Sequence, residues 1–365
     1  MNHILHNKLF LFLLLISIII LSACQPTPPT QPQILNFTTS TTGSLSTTQT
    51  ATSITTTKTT ASIPTPTATP EPVKMVTLMA VGDIMLGRSI GEMIEEEGIE
   101  APFFYTADIL ASADITLGNL ECPLSDRGTP EKKTYAFRAP LAGGESLAYA
   151  GFDLVSIANN HILDYGLLAL EDTLETLAAN DILAVGAGMN EADAYSPVFM
   201  EINGLRLAFL AFMDVPQESE LNYFDWEAGP EKPGVAWAHE DKIKAAVQEA
   251  KRQADLVIVH FHNGYEIKET VFPSQKKVAH LAIDSGAALV IGSHPHVLQD
   301  IEEYQDGLIV YSMGNFVFDN FLFPPNLSAI LSVTLSANGV ESYELIDVVV
   351  QLNGVPQIME YRRYQ

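Results

Sequence analysis

The stretch LVIGSHPHVLQ, at residues 289–299, joins a buried-strand pattern to two closely spaced histidines. The apolar run over 287–291 predicts a strand that ends at a Gly-Ser pair. If the backbone stays extended through Pro295, the side chains of His294 and His296 point the same way, because side chains alternate along a strand. Two imidazoles on one side of a strand-end loop can bind a metal ion. The alternative is a loop with two solvated histidines.

The composition indicates an acidic protein with a sizeable core. The 365 residues are 47% hydrophobic and 17% charged, which suits one large domain or two small ones. Lys and Arg number 19 and Asp and Glu number 44, so the net charge is −25. This balance argues against binding to nucleic acid and against docking on anionic lipid through a basic face. The two cysteines, Cys24 and Cys122, lie in different contexts, which argues against a disulfide framework.

The N-terminus predicts export and lipid attachment. An almost unbroken apolar run follows Lys8, and it is shorter than the ~20 residues of a membrane-spanning helix. We therefore predict a signal peptide over residues 1–23. The run ends in Leu-Ser-Ala-Cys, which resembles the lipobox of bacterial lipoproteins and implies acylation of Cys24 and an extracytoplasmic, membrane-anchored protein. The alternatives are an uncleaved anchor and plain secretion.

A change of composition separates a linker from a folded domain. Residues 24–72 are rich in Thr, Ser and Pro and have few large apolar residues. Such a segment buries too little surface to offset the entropy of ordering it, so we predict a disordered linker. It serves either as a stalk or as a spacer without a further role. We predict one folded domain over residues 73–365, where apolar strands begin.

Strands and helices alternate in this domain, which predicts an α/β fold with a largely parallel or mixed sheet. The predicted helices include 167–180, 240–254 and 274–285. The strand-like segments 328–336 and 340–350 have no helix between them. Their order indicates antiparallel pairing at a sheet edge or in a second sheet.

Polar residues follow the predicted strands at their carboxyl ends. They are Asp83, Glu121, Asn160, His161, His260, His262, His294 and His296. In open α/β sheets, loops from neighbouring parallel strands converge at this edge. Carboxylate, amide and imidazole groups together can hold two divalent ions about 3.5–4 Å apart. Alone, each residue has another explanation: Asp83 can cap a helix, Glu121 can be a buried hydrogen-bonded acid, and Asn160 can be a turn residue. His260 can be a core histidine.

Six motifs follow one another between residues 75 and 320. They are VGDIMLGR (81–88), GNLECPLS (118–125), ANNHILDYG (158–166), HNGYE (262–266), GSHPHVLQ (292–299) and YSMGNFVFD (311–319). In this order they resemble the calcineurin-like metallophosphatase superfamily and, within it, the CapA family, named for poly-γ-glutamate capsule synthesis. The resemblance implies an α/β sandwich of two mixed β-sheets flanked by helices.

The resemblance also implies two metal positions that share a ligand. The first contains Asp83, Glu121 and His296, and the second contains the bridging Glu121 with Asn160, His262 and His294. Met85 stands where the superfamily has a histidine, and a thioether is a poor ligand for a hard divalent ion. We therefore expect one or two ions, with Mn, Zn or Fe as the metals. We also expect His294→Ala to cost more metal than His296→Ala.

The resemblance implies catalytic and substrate-binding residues as well. His161 stands where the superfamily has a general acid for the leaving group, and Asp164 is expected to orient its ring. Arg88, Arg127 and Arg138 follow the first two loops. Because arginine suits bidentate contact with carboxylate or phosphate, we predict that they bind substrate. Surface salt bridges are the alternative for all three.

Two functions are compatible with these features. The first is a metal-dependent hydrolase that uses a metal-bound hydroxide on an anionic polymer or phosphoester, in the synthesis, release or anchoring of capsule poly-γ-glutamate. The second is a non-catalytic subunit that works with membrane-bound capsule synthesis or export proteins. The His161–Asp164 pair favours the first function, and Met85 favours the second. A nucleotide or phosphomonoester scavenger is a third function, but it needs a base-stacking second domain that the sequence does not indicate.

Overall fold

Sixteen strands and seven α-helices occur in the part of the chain that the structure describes. The computed structural model describes residues 73–217, 221–319 and 326–359. The predicted signal peptide, Cys24 and the predicted linker lie outside the described residues. No helix among the described residues is long and apolar enough to cross a membrane.

The strands and helices have the following bounds in chain order. The strands are β1 (Met75–Ile84), β2 (Ile115–Leu120), β3 (Leu154–Ser156), β4 (Leu183–Val185), β5 (Ala187–Gly188), β6 (Val198–Ile202), β7 (Leu205–Asp214), β8 (Gly234–Val235), β9 (Leu256–Asn263), β10 (Leu289–Ser293), β11 (Ile301–Tyr304), β12 (Gly307–Val310), β13 (Asn315–Val317), β14 (Leu327–Ser336), β15 (Gly339–Val350) and β16 (Pro356–Ile358). The helices are α1 (Arg88–Glu97), α2 (Ala107–Leu110), α3 (Ala142–Tyr149), α4 (Leu167–Ala179), α5 (Glu191–Tyr195), α6 (Glu240–Lys251) and α7 (Pro273–Ser285). Two short 3₁₀ helices cover Ala101–Phe103 and Tyr223–Trp226.

The first sheet is mixed. Its strand order is β16-β15-β14-β1-β2-β3-β4, and β13 also pairs with β1. Strands β1, β2, β3 and β4 run parallel to one another. Strand β14 is antiparallel to β1, and β15 is antiparallel to β14. The predicted antiparallel pairing of the last strands, which lack an intervening helix, is therefore confirmed.

The second sheet is also mixed, with the order β11-β12-β10-β9-β7-β6. Its four central strands are parallel, and the edge strands β11 and β6 pair antiparallel with their neighbours. Strands β5 and β8 form a separate two-stranded ladder. The predicted α/β fold, with two mixed sheets flanked by helices, is confirmed.

Side-chain alternation divides the apolar residues of the second sheet between two cores. On β7, Leu207 and Phe209 join the core that includes the first sheet. Leu210 and Phe212 of the same strand join a second core with residues of α6 and α7, such as Val247. Successive side chains of a strand point to opposite faces, so this sheet packs against the first sheet on one face and against helices on the other. Burial of both faces explains why its parallel strands are almost continuously apolar.

Helix α7 connects β9 to β10 and has clear sequence signals at both ends. Pro273 begins the helix, where its fixed φ and missing N–H are tolerated. Gly286 follows the helix with φ 118°, a left-handed conformation that glycine adopts readily. The helix is the crossover connection between two parallel strands, so β9 and β10 both end at the same edge of the sheet.

Candidate metal centre

Asp83 and Glu121 bring two buried carboxyl groups to one edge of the first sheet. Strand β1 includes Asp83, and Glu121 directly follows β2. The parallel register places Asp83 opposite Asn119. The Asn119 side-chain amide donates to Asp83 Oδ1 at 2.8 Å and to Glu121 Oε2 at 3.3 Å. Both carboxyl groups are fully buried, so Asn119 holds them close together inside the protein.

His262 comes from the second sheet and faces the same carboxyl groups. It lies in β9, opposite Ser293 of β10, and its Nδ1 is 2.8 Å from Ser293 Oγ. Its Nε2 is 2.7 Å from Asn160 Oδ1 and 3.9 Å from Glu121 Oε1. The serine therefore orients the ring so that Nε2 faces Asn160 and Glu121.

The His-Pro-His segment does not continue strand β10. The strand ends at Ser293, and His294 and His296 have φ values of 95° and 58°. The condition that the backbone stays extended through Pro295 is therefore not met. Proline has no N–H with which to continue the ladder. The His294 N–H instead donates to Asp83 Oδ2 at 3.2 Å, and His296 Nδ1 lies 3.3 Å from the same oxygen.

The two histidines are buried, so the alternative of a solvated loop is wrong. His294 is 4% exposed and His296 is 3% exposed. Nδ1 of His296 lies 2.8 Å from Asn315 Oδ1. Nδ1 of His294 is buried and has no hydrogen-bond partner among the described residues. A buried nitrogen without a partner is costly unless a ligand satisfies it.

Three imidazole nitrogens surround one oxygen of Glu121 at distances too long for hydrogen bonds. Glu121 Oε1 is 3.7 Å from His296 Nε2, 3.8 Å from His161 Nε2 and 3.9 Å from His262 Nε2. This oxygen is buried and has no hydrogen-bond partner in the described part of the chain. Donors about 2.1 Å from a tetrahedral ion lie roughly 3.4 Å apart. The spacing therefore suits groups around a metal ion better than it suits hydrogen bonds.

Two overlapping groups of side chains have ligand atoms within 4.8 Å of one another. They are Asp83 with Glu121 and His296, and Glu266 with His294 and His296. The first group is the first metal position that the sequence predicts. Asn160 and His262 of the second predicted position contact each other beside Glu121. The structure therefore brings all six predicted ligands together, and this set of oxygen and nitrogen donors fits divalent metal ions.

Neighbouring groups separate the pKa values of the two buried carboxyl groups. Burial alone raises the pKa of Asp83, but the hydrogen bond and charge of His296 outweigh it and hold that pKa well below its usual range. Burial and the charge of Asp83 raise the pKa of Glu121 well above its usual range. Of the two acids, Glu121 therefore needs a positive neighbour more in order to ionise. A bound divalent ion would supply that charge, and Glu121 would then bind it as a carboxylate.

His161 is held by an acid and an aromatic ring. Its Nδ1 is 2.6 Å from Asp164 Oδ2, and its ring stacks on Phe137 with 4.2 Å between centroids. The Phe137 N–H also donates to Asp164 at 2.7 Å. Burial lowers the pKa of His161 to about 4, so the ring is neutral near pH 7. Its Nδ1–H therefore faces Asp164, and Nε2 carries a lone pair.

Lys133 is a residue of this centre that the sequence did not reveal. Its side chain is fully buried, and Nζ donates to the Asn160 carbonyl at 2.6 Å and to Asp164 Oδ1 at 2.9 Å. The rings of Tyr223 and Trp226 lie 5.1 Å and 5.4 Å from Nζ. A lysine in a polar loop has no sequence signal that distinguishes it from a solvated one.

His260 is buried two residues before His262 on the same strand. Neither ring nitrogen has a hydrogen-bond partner within the described residues. Burial lowers the pKa of His260 to about 4, so this ring is also neutral. The expectation of a buried histidine at this position agrees with the structure.

A cavity of about 200 Å³ opens beside His161 and His296. Its lining also contains Arg88, Tyr135, Phe137, Glu266, Ile267, Phe318 and Asp319. A larger groove of about 880 Å³, lined by residues of β11, β12 and β15, contains none of the predicted ligands. The smaller cavity is therefore the one that can present a substrate to the metal centre.

The three arginines that are predicted to bind substrate have different surroundings. Arg88 lines the cavity and forms an ion pair with Asp319. Arg127 pairs with Asp172 at the surface, as the salt-bridge alternative describes. Arg138 donates to backbone carbonyls and lies over the Tyr165 ring, 4.4 Å from its centroid. Neither Arg127 nor Arg138 belongs to the cavity lining.

Known proteins resemble this chain in sequence and, distantly, in structure. It is 33% identical over 284 residues to capsule biosynthesis protein CapA of Bacillus anthracis, covering 76% of this chain and 68% of that protein. PGA biosynthesis protein CapA of Bacillus subtilis is 32% identical over 271 residues, covering 73% and 70%.

Two solved structures share 16% and 13% sequence identity with the chain. A hypothetical protein from Thermus thermophilus has a TM-score of 0.48 and covers 78% of this chain and 100% of its own. A 5′-nucleotidase from Candida albicans has a TM-score of 0.41 and covers 76% and 52%. These structural likenesses are too distant to indicate any chemistry.

The family described as bacterial capsule synthesis protein PGA_cap matches residues 77–320. This span contains all six predicted metal ligands and the His161–Asp164 pair. Together with the Bacillus relatives, the match shows that this chain belongs to the bacterial capsule synthesis protein PGA_cap family.

Proposed function

We propose that this protein is a metal-dependent hydrolase in capsule polymer biosynthesis. The observation that carries the proposal is the buried Glu121 oxygen, which three imidazole nitrogens face at 3.7–3.9 Å. This arrangement lies beside a cavity that is large enough for part of a substrate. The names of the Bacillus relatives support a capsule polymer such as poly-γ-glutamate as the substrate or product.

One or two divalent ions, with Mn, Zn or Fe as candidates, are the proposed cofactors. Asp83, Glu121 and His296 would hold one ion, and Glu121, Asn160, His262 and His294 would hold the other. When bound, a divalent ion lowers the pKa of water and polarises a phosphoryl or acyl oxygen of the substrate.

His161 is the proposed proton-transfer residue. Asp164 fixes its ring through Nδ1, so Nε2 is the atom that faces Glu121 and the cavity. In the neutral ring Nε2 accepts a proton, and it can then donate that proton to the leaving group. Lys133 and the Phe137 N–H hold Asp164 in turn, which keeps the imidazole in one orientation.

The acidity of the protein restricts how an anionic polymer is bound. With a net charge of −25, the chain repels a polyanion at long range. Affinity must therefore come from metal ions and from Arg88, which is the one predicted arginine that lines the cavity. Arg88 is already paired with Asp319, which weakens its attraction for a second anion.

The proposed location is the outer face of the cell membrane. Acylation of Cys24 would anchor the chain, and residues 24–72 would separate the domain from the lipid. Membrane-bound capsule synthesis or export proteins are the proposed partners. Replacement of Cys24 by Ser should release the protein from membranes, and continued membrane retention of this variant would contradict lipid anchoring.

A non-catalytic assembly subunit is the second candidate, and Met85 favours it. The Met85 side chain is fully buried in the core, and its Sδ accepts a hydrogen bond from the Gly87 N–H at 3.1 Å. It does not replace the histidine that the superfamily has at this place. With one ligand fewer, the first position would bind its ion more weakly, so the centre would hold a single ion in place of a reactive pair.

The two candidates are separated by metal analysis and hydrolysis assays on the full-length protein. We expect bound metal, and hydrolysis of a phosphodiester or of poly-γ-glutamate that His161→Ala and His294→Ala both reduce. Absence of turnover with Mn, Zn, Fe and Co, despite bound metal, would exclude these hydrolase reactions and favour the assembly subunit. If His161→Ala leaves the activity unchanged, only the proposed proton-transfer role of His161 is contradicted.

A further inference from the structure

We propose that Glu266 is a further metal ligand of this centre, together with His294 and His296. This inference rests on the proposed metal-dependent function. The resemblance assigns no role to Glu266, although the motif HNGYE contains it. Its proposed partners are His294 and His296, one histidine from each of the two metal positions.

The geometry around Glu266 carries the proposal. A carboxylate oxygen of Glu266 and one ring nitrogen each of His294 and His296 lie within 4.8 Å of one another. His296 belongs to this group and also to the group with Asp83 and Glu121. Glu266 and His296 also line the same cavity. Nδ1 of His294, which has no hydrogen-bond partner among the described residues, leaves one histidine of this group with a nitrogen that an ion can satisfy.

The backbone beside Glu266 is held against the His-Pro-His segment. The Ile267 N–H donates to the carbonyl of Pro295, between the two histidines, at 2.8 Å. The Gln299 side-chain amide donates to the Lys268 carbonyl at 2.8 Å. Two hydrogen bonds thus join the loop after β9 to the segment after β10. They fix the backbone position from which the Glu266 side chain extends.

Ile267, which donates to the Pro295 carbonyl, has a strained backbone conformation. Its φ is 56°, in the left-handed region that a β-branched side chain rarely occupies. Such strain persists where the surrounding structure requires it, and it concentrates at ligand-binding sites. His294 and His296 also have positive φ. Both segments that contribute to the proposed ligand set therefore contain residues with a strained backbone.

The chemistry of a carboxylate suits this position. A hard divalent ion prefers oxygen and imidazole ligands to a thioether. Glu266 is exposed, so its side chain can rotate toward an ion without disturbing the core. The alternative is a solvated glutamate at the cavity rim that contacts substrate and not metal, and the following experiment distinguishes these roles.

The experiment compares Glu266→Gln with Glu269→Gln in the full-length protein. Glu269 is exposed on the same loop, so its substitution removes the same charge outside the proposed ligand set. Both variants and the wild type are stripped with a chelator and titrated with Mn²⁺ and Zn²⁺. Bound metal is counted by elemental analysis, and the visible spectrum of the Co²⁺ form reports the coordination of the ion.

We expect Glu266→Gln to weaken the more weakly held ion at least about tenfold, or to lose one ion per chain, and to alter the Co²⁺ spectrum. Glu269→Gln should bind metal as the wild type does, and Glu266→Asp should recover part of the loss. Equal metal binding and equal Co²⁺ spectra for Glu266→Gln and wild type would overturn the role of Glu266 and leave the proposed function standing. Absence of metal from the wild type itself would overturn both.

Discussion

Two loops bring histidines to the same centre by different physical means. In the loop after β3, His161 is bonded to Asp164, which Lys133 and the Phe137 N–H also hold. In the segment after β10, His294 and His296 have positive φ, and Nδ1 of His294 has no hydrogen-bond partner among the described residues. Residues of the chain hold His161 in the first loop, whereas in the second segment Nδ1 of His294 remains for a metal ion to satisfy.

This difference separates proton transfer from metal binding. The orientation of the His161 ring is fixed by residues of the chain, namely the hydrogen bond to Asp164 and the stacking on Phe137. The His-Pro-His segment is strained and packs against the buried Asp83 carboxylate. We therefore expect changes at His161 to affect catalysis, and changes at His294 and His296 to affect the amount of bound metal.

The largest expected effect is that of His161→Ala on turnover. Loss of a positioned proton-transfer group typically lowers the rate by about 10²–10⁴-fold. Bound metal should stay at the wild-type level, since His161 is held by Asp164 and is not one of the proposed metal ligands. Rate and metal content are measured on the same sample. A parallel loss of metal would show that the ring is a ligand, and the proposed division between the loops would fail.

The next effect concerns which histidine of the His-Pro-His segment contributes more to metal affinity. The sequence predicts a greater loss of metal from His294→Ala. The geometry favours the opposite order, because His296 belongs to both ligand groups and His294 to one. We expect His296→Ala to weaken metal binding at least about 100-fold, and His294→Ala to weaken it less. Titration of the chelator-treated variants measures both affinities, and a larger effect of His294→Ala would restore the sequence-based assignment.

Metal removal should loosen one loop more than the other. A ligand present at 100 times its dissociation constant stabilises the folded state by about 2.7 kcal/mol. Chelation should therefore lower the melting temperature and speed amide hydrogen exchange over residues 294–299. Exchange over residues 161–164, which follow the proposed ligand Asn160, should change less, because Asp164 and Lys133 remain in place. Equal acceleration in both loops would mean that the ion also supports the first loop.

The smallest effect is expected at the arginines outside the two loops. Arg88 lines the cavity, so Arg88→Ala should raise KM several-fold, limited by its existing pair with Asp319. Arg127 pairs with Asp172 at the surface, so Arg127→Ala should leave KM within about twofold of wild type. Steady-state kinetics at matched metal content measure both values. A larger change from Arg127→Ala would place substrate on the surface beside α4.

Sequence patterns predicted the parts of the fold that depend on local chemistry. The predicted helix over 274–285 is observed as Pro273–Ser285, since a proline and a glycine mark its ends. The predicted strands over 328–336 and 340–350 are observed as Leu327–Ser336 and Gly339–Val350. The six residues that meet at the candidate metal centre were also predictable, because each belongs to a motif in a fixed order along the chain.

Contacts between distant segments were not predictable in the same way. Lys133 is a single charged residue in a polar loop, and nothing local distinguishes it from a solvated side chain. Glu266 ends the motif HNGYE, but the motif does not show that its carboxylate lies near His294 and His296. The conformation of His294 and His296 depends on Asp83, which lies more than 200 residues earlier in the chain. Alternation along an extended strand could not reveal that contact.

The sequence by itself determined the family, the two-sheet α/β architecture and the residue types that meet at the strand ends. These follow from periodicity, turn residues and motif order, which are properties of short segments. Only the tertiary structure decided which nitrogens face Glu121, which arginine reaches the cavity, and how Glu266 approaches the histidines. Those features depend on the packing of one sheet against the other, because residues from both sheets meet at the metal centre.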